Sequence, residues 1–330
     1  RQPPLKLFSL MLFFSILALP FAFTESVNVF IDASLTNPLD PHILTTIRFR
    51  KSITLIILTK HSQHNYTPAK HEGKIYNIST IINGTGTETL TIEFQTPQGS
   101  INSASACNQL PILSVSDNFS FTLDNLSSFS LVGFSVRYTW SGSSFLNVGS
   151  INFSNFCLDV TDTVGVVPLS NNIFWFFKPR NVSICNAFIT GDGSKWLQID
   201  SANNISVTSV IIHFPKWLSD SSGAIIQVVQ GSNNPTTTMT VSNIQMHCDS
   251  TPLAMPRAFY SQNLFAAYFN ISVSDCHFES SQRSSQNFIC ANSSDYLVVD
   301  NVKFNAPSEQ IRPAQWMVIL TTFVQISSVF

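Results

Sequence analysis

The chain has 330 residues, of which 44% are hydrophobic and 11% are charged, and its formal net charge is −2 at pH 7. This length is sufficient for a buried core in one or two domains. Because basic residues are not in excess, binding to a phosphate backbone has little electrostatic support, which argues against a nucleic-acid partner. The 28 phenylalanines and the many aliphatic residues exclude a disordered chain.

The N-terminal segment has the features of a secretory signal peptide. Arg1 and Lys6 form a basic region, an apolar stretch follows over residues 7–23, and Pro20 stands where such stretches usually end. The alternative is a membrane anchor, for which the apolar run is only marginally long. We therefore predict a signal peptide over residues 1–24, no stable membrane insertion after its removal, and a protein that is secreted or held at the cell surface.

Cysteine and sequon usage agree with an oxidising, glycosylating compartment. No cysteine pair has the C-x-x-C spacing of a zinc or thioredoxin-like site, and the sequence does not choose among the pairings that six cysteines allow. The cysteines are Cys107, Cys157, Cys185, Cys248, Cys276 and Cys290. The candidate N-glycosylation sites are Asn65, Asn77, Asn83, Asn118, Asn125, Asn152, Asn181, Asn204, Asn270 and Asn292.

Residues 25–116 are less regular than the remainder. Strands are predicted at 27–31, 53–58 and 90–94, with a polar loop at 61–74. We interpret this region as an irregular, β-rich N-terminal cap or as the first irregular coils, with a separate small domain as the rival reading. Its histidines, which we expect to be solvated rather than to bind a metal, are His42, His61, His64 and His71.

We predict a repeat domain over residues 117–330. From Phe129 onward one eight-residue pattern recurs: apolar, polar, apolar, two small or turn-forming residues, apolar, any residue, apolar. The copies lie 22 to 34 residues apart and begin at Phe129, Ile151, Val182, Ile205, Met239, Ile271, Leu297 and Val324. The fifth position tolerates a left-handed backbone in every copy, because it holds Gly133, Asn155, Asn186, Ser209, Asn243, Asp275, Asn301 and Ser328. Each copy therefore predicts a short strand, a two-residue bend and a second short strand.

A third strand precedes most copies. The number of residues from one copy to the next varies, and this variation falls in the loops that connect the strands. The third strands are predicted at 173–177, 196–199, 224–229, 264–269, 287–290 and 317–320. The period of two and the β-branched residues exclude helical repeats, and the units are too short for propeller blades. We predict an all-β fold, a right-handed parallel β-helix (solenoid) of about eight coils.

The period of two also predicts which side chains point inward and stack on one another from coil to coil. They are Ile151, Phe153, Val182, Ile184, Ile205, Val207, Val241, Ile271, Val273 and Val299.

This strand–bend–strand repeat, with its Asn-rich bend, resembles the pectin-lyase-like superfamily of right-handed parallel β-helices over residues 119–330. The resemblance implies a fold but no single function, because adhesins, phage spikes, surface proteins and polysaccharide enzymes share it. Its lyases bind calcium through several carboxylates and its hydrolases use paired aspartates. In this chain the acids of the repeats are single, so we expect no catalysis, no metal and no cofactor apart from covalent N-glycans.

The best candidate catalytic cluster is Asp275 with His277 and Glu279, near His247 and Asp249. Alternation predicts that Asp275, His277 and Glu279 share one outer face, where they would form an acid–base or metal site or simply a solvated surface, which we favour. The tryptophans are expected to pack in the core or in loops rather than to stack on sugars; they are Trp140, Trp175, Trp196, Trp217 and Trp316.

These features favour a non-enzymatic extracellular structural, coat, filament or adhesion glycoprotein. The alternative is a carbohydrate-active enzyme, a polysaccharide lyase or glycoside hydrolase, with an unrecognised site, and carbohydrate is a candidate partner. The last repeat stops at Phe330, one residue short of its final apolar slot. Either the natural chain continues, or this open end docks head-to-tail on a second copy and builds a filament.

Overall fold

The computed structural model describes residues 27–32, 52–58, 75–77, 81–84, 86–94, 101–114, 122–137, 143–160, 174–191, 197–214, 224–230, 236–248, 257–263, 268–280, 289–305 and 317–326. The predicted signal peptide, four of the five tryptophans and the histidines of the N-terminal region lie outside these residues, as does the end of the last repeat.

The described residues form 23 strands and one short helix. The strands are β1 (Val27–Asp32), β2 (Ser52–Leu58), β3 (Ile75–Asn77), β4 (Ile81–Asn83), β5 (Thr89–Phe94), β6 (Ile112–Ser114), β7 (Thr122–Asp124), β8 (Ser128–Val132), β9 (Ser135–Arg137), β10 (Ser143–Leu146), β11 (Ser150–Val160), β12 (Phe174–Phe177), β13 (Asn181–Gly191), β14 (Leu197–Asp200), β15 (Asn204–Phe214), β16 (Ala224–Gln230), β17 (Thr236–Cys248), β18 (Arg257–Asn263), β19 (Tyr268–Ser274), β20 (His277–Ser280), β21 (Ile289–Asp300), β22 (Lys303–Asn305) and β23 (Met317–Ile326). The helix is α1 (Ala104–Cys107). Within the described part of the chain, no helix has the length and apolar character needed to cross a membrane.

The strands pair in parallel and form three stacks, which the chain visits in a fixed cyclic order from β2 onward. Stack A contains β1, β2, β5, β8, the first halves of β11, β13, β15 and β17, then β19 and the second halves of β21 and β23. Stack B contains β3, β6, β9, the second halves of β11, β13, β15 and β17, then β20 and β22. Stack C contains β4, β7, β10, β12, β14, β16, β18 and the first halves of β21 and β23. We call one passage through A, B and C a rung.

The predicted core columns are confirmed. In stack A, Ile151, Val182, Ile205, Met239 and Ile271 follow one another in register. All ten side chains predicted to point inward are at most 4% exposed. Buried residues of the three stacks form one cluster that runs from Leu90 to Val302, so all three stacks contribute to a common core.

Aromatic side chains fill this core around β8 to β12. Phe153 contacts Phe174 and Phe176 edge to face, with ring centroids 5.0 and 5.3 Å apart, while Phe134 lies parallel to Phe156 at 5.1 Å. These are the offset or perpendicular arrangements that the ring quadrupole favours. Phe153 of stack A therefore packs across the core against Phe174 and Phe176 of stack C.

The corner between stacks A and B follows the prediction for the fifth repeat position. Gly133, Asn155, Asn186, Ser209, Asn243, Asp275 and Asn301 all have φ between 48° and 76°. Their side chains bond along the stack, since Asn243 Nδ2 donates to Ser209 Oγ at 3.1 Å and Asn301 Nδ2 donates to Asp275 Oδ1 at 2.7 Å. The two strands flanking the bend are continuous in β11, β13, β15 and β17, and only the corner residue drops out of the pairing.

A second left-handed corner, between stacks C and A, was not predicted. Asn125, Asn147, Lys178 and Ser201 have φ of 53° to 61°. Each of these residues donates its backbone N–H to a carbonyl of the next rung, as Lys178 does to Asp200 at 2.8 Å. The backbone passes so closely here that a Cβ on Gly149 would lie 2.5 Å from the carbonyl oxygen of Ser127.

One predicted third strand is wrong. The strand expected at residues 264–269 lies earlier, as β18, which pairs with β16 and β21. In this register Ser261 occupies the position that buried Val228 holds one rung before. A serine at this register position interrupts the apolar alternation in the sequence on which the prediction depended.

Candidate functional site

Three predicted glycosylation sites lie in one outward column of stack A. Asn181 pairs with Asn204, Asn204 pairs with Thr238, and Thr238 pairs with Asn270. Asn270 therefore lies in the same column, two strands beyond Asn204. Asn181 and Asn204 are exposed and Asn270 is half-buried. We call these three residues the asparagine column. Its amides bond from rung to rung, because Asn181 Nδ2 donates to Ser150 Oγ at 3.1 Å and Asn204 Nδ2 donates to Asn181 Oδ1 at 2.9 Å.

The other sequon asparagines are distributed over several surfaces. Asn152 lies half-buried in the neighbouring outward column and donates to Ser130 Oγ at 3.0 Å. Asn83 and Asn125 are exposed near the second corner. The structure describes only the backbone of Asn77 and Asn292, and Asn65 and Asn118 lie outside the described residues.

The candidate acid–base cluster is divided between two environments. Asp275 occupies the corner and accepts a hydrogen bond from Asn301. His277 is exposed on the outer face of stack B. His247 lies in the adjacent outward-facing column of this stack, and it pairs with Glu279. The structure describes only the backbone of Glu279, and Asp249 lies outside the described residues.

The outer face of stack B instead brings histidines together. His213 and His247 follow one another in register, and their ring centroids are 5.7 Å apart with planes inclined by 33°. Both line a groove of about 290 Å³ whose walls also include Phe188, Gln245 and His277. We call this the histidine groove. In the part of the chain that the structure describes, no group of three or more His, Cys, Asp or Glu side chains is arranged to hold a metal ion.

A covering segment lies beside this groove on the same face. The disulfide between Cys107 and Cys157 joins the end of α1 to β11. Ile101 and Leu110 are buried against Phe188, and Ile211 packs at the edge of this small cluster. The segment is also fixed by the backbone N–H of Ile101, which donates to Asn186 Oδ1 at 3.1 Å. Residues 101–110 therefore cover the apolar part of the outer face of stack B and leave the histidine part open.

Trp175 lies on the outer face of stack C, which corrects the expectation that it packs in the core or a loop. The side chain is 37% exposed, and its Nε1 donates to Asp200 Oδ2 at 2.6 Å. Gln198 Nε2 donates to both oxygens of the same carboxylate, at 2.9 and 3.1 Å. Phe177 contacts the indole edge to face at 5.8 Å. We call Trp175, Phe177, Gln198 and Asp200 the aromatic platform.

Two of the cysteines whose side chains the structure describes, Cys185 and Cys276, are free thiols. Cys185 is half-buried on the outer face of stack A, and Cys276 is buried behind the first corner. Burial raises the pKa of the Cys185 thiol. Burial, and to a smaller extent the negative charge of Asp275, raises the pKa of Cys276 to about 11 against a lowering hydrogen bond with the backbone of Ile244.

Two features of the outer surface were not predicted, although the sequence contained a signal for each. His213 and His247 each follow directly on the eighth position of their repeats, so the repeat alignment alone places them in one column. Trp175 stands between Phe174 and Phe176, which are buried, and alternation along β12 therefore directs it outward.

The fold and its surfaces define an all-β protein built from parallel strands, with sequon asparagines on one face, histidines on a second and an aromatic platform on the third. No protein-family model, curated protein or solved structure matches the chain.

Proposed function

We propose that the chain is a secreted, N-glycosylated right-handed parallel β-helix of the pectin-lyase-like kind, which acts as a non-catalytic extracellular scaffold. The cyclic order of the three stacks around one core supports a closed solenoid. Right-handedness is the expected hand, because crossovers between parallel strands are right-handed in nearly all proteins.

The observation that carries the scaffold proposal is the asparagine column. Asn181 and Asn204 are exposed on adjacent rungs, and Asn270 follows in the same register two rungs beyond Asn204. Adjacent strands are about 4.8 Å apart, so glycans at these positions would cover the outer face of stack A. A face covered in this way is shielded from proteases and membranes but is closed to a polymeric substrate.

Expression of the full chain in a glycosylating secretory host tests this proposal. We expect the protein in the medium, with a mass that falls after endoglycosidase treatment. The matched control replaces Asn181, Asn204 and Asn270 by Gln, which should remove part of that mass difference. Retention of an unglycosylated chain inside the cell would contradict the proposal.

The aromatic platform favours carbohydrate binding as a second candidate function. An exposed indole offers an apolar face to a sugar ring, while a carboxylate and an amide beside it can bind hydroxyl groups. The hydrogen bonds from Trp175 and Gln198 to Asp200 hold these groups in one arrangement before a ligand binds. Preorganisation of this kind reduces the entropy cost of binding.

A panel of polysaccharides, with binding followed by tryptophan fluorescence, tests the platform. Trp175→Ala should abolish binding and Trp175→Phe should retain part of it, whereas Trp175→Ala should leave secretion unchanged. Release of reducing or unsaturated sugar ends by the wild-type protein would favour the enzyme alternative over a binding scaffold.

A further inference from the structure

We propose that the aromatic platform binds polysaccharides whose sugars carry free amino groups, such as polymers of glucosamine, in preference to neutral or acidic polymers. This inference rests on the carbohydrate-binding function proposed above for the same residues, and it names the class of sugar. Three features carry it: a carboxylate whose side-chain donors are uncharged, an exposed indole, and an ammonium group that already lies over one ring of the platform.

The ladder between β12 and β14 brings the platform together. In this ladder Trp175 pairs with Gln198, and Phe177 pairs with Asp200. Partners on adjacent parallel strands lie about 4.8 Å apart, so the two rings, the amide and the carboxylate occupy one small area of the outer face of stack C. Because Nε1 of Trp175 is 2.6 Å from Oδ2 of Asp200, the carboxylate lies at the edge of the indole. A sugar ring that stacks on the indole can therefore reach it.

Asp200 has room for a further hydrogen bond. A carboxylate offers about four acceptor sites on its two oxygens. Oδ2 accepts from Trp175 Nε1 and from Gln198 Nε2, at 2.6 and 3.1 Å. Among the residues that the structure describes, Oδ1 accepts a single hydrogen bond, from Gln198 Nε2 at 2.9 Å. One acceptor site on Oδ1 is therefore left for a ligand.

The charge of Asp200 decides which ligand group suits this site. Its side-chain donors, an indole and an amide, carry no charge. A ligand ammonium group supplies both a donor and a positive charge, and charge-assisted hydrogen bonds are about twice as strong as neutral ones. A hydroxyl or an N-acetyl group supplies only the donor, and the carboxylate of an acidic sugar would be repelled. Asp200 therefore favours an amino sugar over both other classes.

The protein itself places an ammonium group on this platform. Nζ of Lys178 lies 5.0 Å from the centroid of the Phe177 ring, which is within the range of a cation–π interaction. Lys178 is an exposed corner residue, so a ligand ammonium group can displace its side chain. The indole of Trp175, which is 37% exposed, offers a second face of the same kind, and tryptophan forms the strongest cation–π interactions.

Calorimetric titration of the full secreted chain with two oligosaccharides tests the inference. The ligands are oligomers of glucosamine and of N-acetylglucosamine of equal length, in mildly acidic buffer, and they differ only in their acetyl groups. We expect the amino oligomer to bind about three- to tenfold more tightly at low salt. The difference should shrink as salt screens the charges. This comparison uses the wild type and does not depend on the folding of any variant.

Asp200→Asn tests the carboxylate, because asparagine keeps one oxygen acceptor and removes the charge. It should bring the affinities of the two oligomers together, and far-UV circular dichroism checks that the variant is folded. Asp124→Asn is the matched control. Asp124 lies in the same outward column, three strands away, where it accepts a hydrogen bond from Asn147 Nδ2 at 3.1 Å. This variant should keep the preference for the amino oligomer.

Lys178→Gln separates a cationic ligand from an anionic one. It removes the ammonium group that competes for the Phe177 ring, so the amino oligomer should bind about two- to threefold more tightly. An acidic oligosaccharide recruited by Lys178 would instead bind more weakly. Weaker binding of the amino oligomer by Lys178→Gln, or tighter binding of an oligouronate than of the amino oligomer by the wild type, would overturn the inference.

The same titrations distinguish this inference from the function on which it rests. If both oligomers bound equally and Trp175→Ala abolished binding, the platform would bind carbohydrate but the preference for amino sugars would be wrong. If the wild type bound none of the oligosaccharides, carbohydrate binding by the platform would be wrong as well.

Discussion

Asn204 donates a hydrogen bond from Nδ2 to Oδ1 of Asn181 at 2.9 Å, so two sequon asparagines on adjacent rungs are in direct contact. An N-glycan is attached through Nδ2, which keeps one N–H after the reaction. The bond along the column is therefore compatible with a sugar on either residue, and the two sugars would leave the surface side by side.

We predict that Asn181, Asn204 and Asn270 all carry glycans in the secreted protein. Period-two alternation holds each of them on the outer face of stack A, and two of the three are exposed. Glycosidase release in ¹⁸O-water followed by peptide mapping assigns each site, with Asn→Gln variants as controls. If these three sites were empty while other sequons carried glycans, the prediction that the asparagine column is glycosylated would be wrong.

The core column at Val241 provides a test of packing. Val241 is buried between Val207 and Val273 of the adjacent rungs. Val241→Ala should lower the free energy of unfolding by about 2 kcal/mol, because it removes buried methyl groups and leaves a cavity. Val241→Asp should prevent stable folding, since the column offers no partner for a buried charge.

Urea unfolding monitored by far-UV circular dichroism measures this difference. Thr240→Ala is the matched control, because Thr240 is the exposed neighbour on the same strand and its loss should change stability by no more than about 0.5 kcal/mol. Equal effects of Val241→Ala and Thr240→Ala would mean that the register of β17 is wrong.

The corner at Asn186 combines a backbone requirement with side-chain bonds. Its φ is 52°, its Nδ2 donates to Asn155 Oδ1, and its Oδ1 accepts from the backbone N–H of Ile101 at 3.1 Å. We expect stability to fall in the order Asn, Gly, Ala. Asn186→Gly loses only the side-chain hydrogen bonds, which lowers the free energy of unfolding by about 1 kcal/mol. Asn186→Ala loses the same bonds, and the left-handed backbone of a residue with a Cβ costs a further ~1–2 kcal/mol.

Urea midpoints of Asn186→Gly and Asn186→Ala check this order. Proteolysis of residues 101–110 should also become faster in both variants, because the bond to Ile101 is lost. The control is Asn243, which has the same backbone conformation and bonds to Ser209. If Asn243→Gly increased cleavage of residues 101–110 equally, the bond from Ile101 would not be what holds that segment.

Residue chemistry made the first corner predictable but accounts for only part of the second, where Asn125, Asn147 and Ser201 are of the same residue types and Lys178 is not. Glycine, asparagine, aspartate and serine at the fifth repeat position are residues that adopt or tolerate positive φ, so the bend could be predicted from the sequence. At the second corner Lys178 adopts φ of 56° although lysine has no such preference. Its conformation follows from the backbone bond to Asp200 in the next rung, a tertiary contact that no local pattern encodes.

Surface features could be predicted only at positions that the alignment of the repeats includes. The asparagine column follows from the common phase of its three sequons. The histidine pair required comparison of the residues that follow each repeat, across a spacing of 34 residues between the starts of the two copies. The bond between Cys107 and Cys157 joins an irregular segment to a repeat, and cysteine spacing carries no information about that approach.

The buried thiol of Cys276 makes stability dependent on alkaline pH. Its pKa in the folded protein is raised from 9.0 to about 11, mainly by burial. A folded-state pKa above the unfolded value means that the thiol contributes its full stability below pH 9 and loses it as the pH rises toward 11. Wild-type urea midpoints should therefore fall more steeply between pH 9 and pH 11 than those of Cys276→Ala, which has no thiol to ionise.

The same burial predicts selective alkylation at pH 8. Cys185 is half-buried on the outer face of stack A, so iodoacetamide can reach it, whereas Cys276 is 2% exposed and donates its S–H to the carbonyl of Ser274 at 3.1 Å. The thiolate is the nucleophile, and a thiol with a pKa near 11 is almost fully protonated at pH 8. Cys276 should therefore react slowly, both because little thiolate is present and because burial limits access of the reagent. Mass spectrometry of timed quenches should show Cys185 modified first, and Cys276 modified only after unfolding in urea. Equal rates for the two thiols in the folded protein would place Cys276 outside the core, and would contradict the inward column that it shares with Ile244 and Val302 at the first corner.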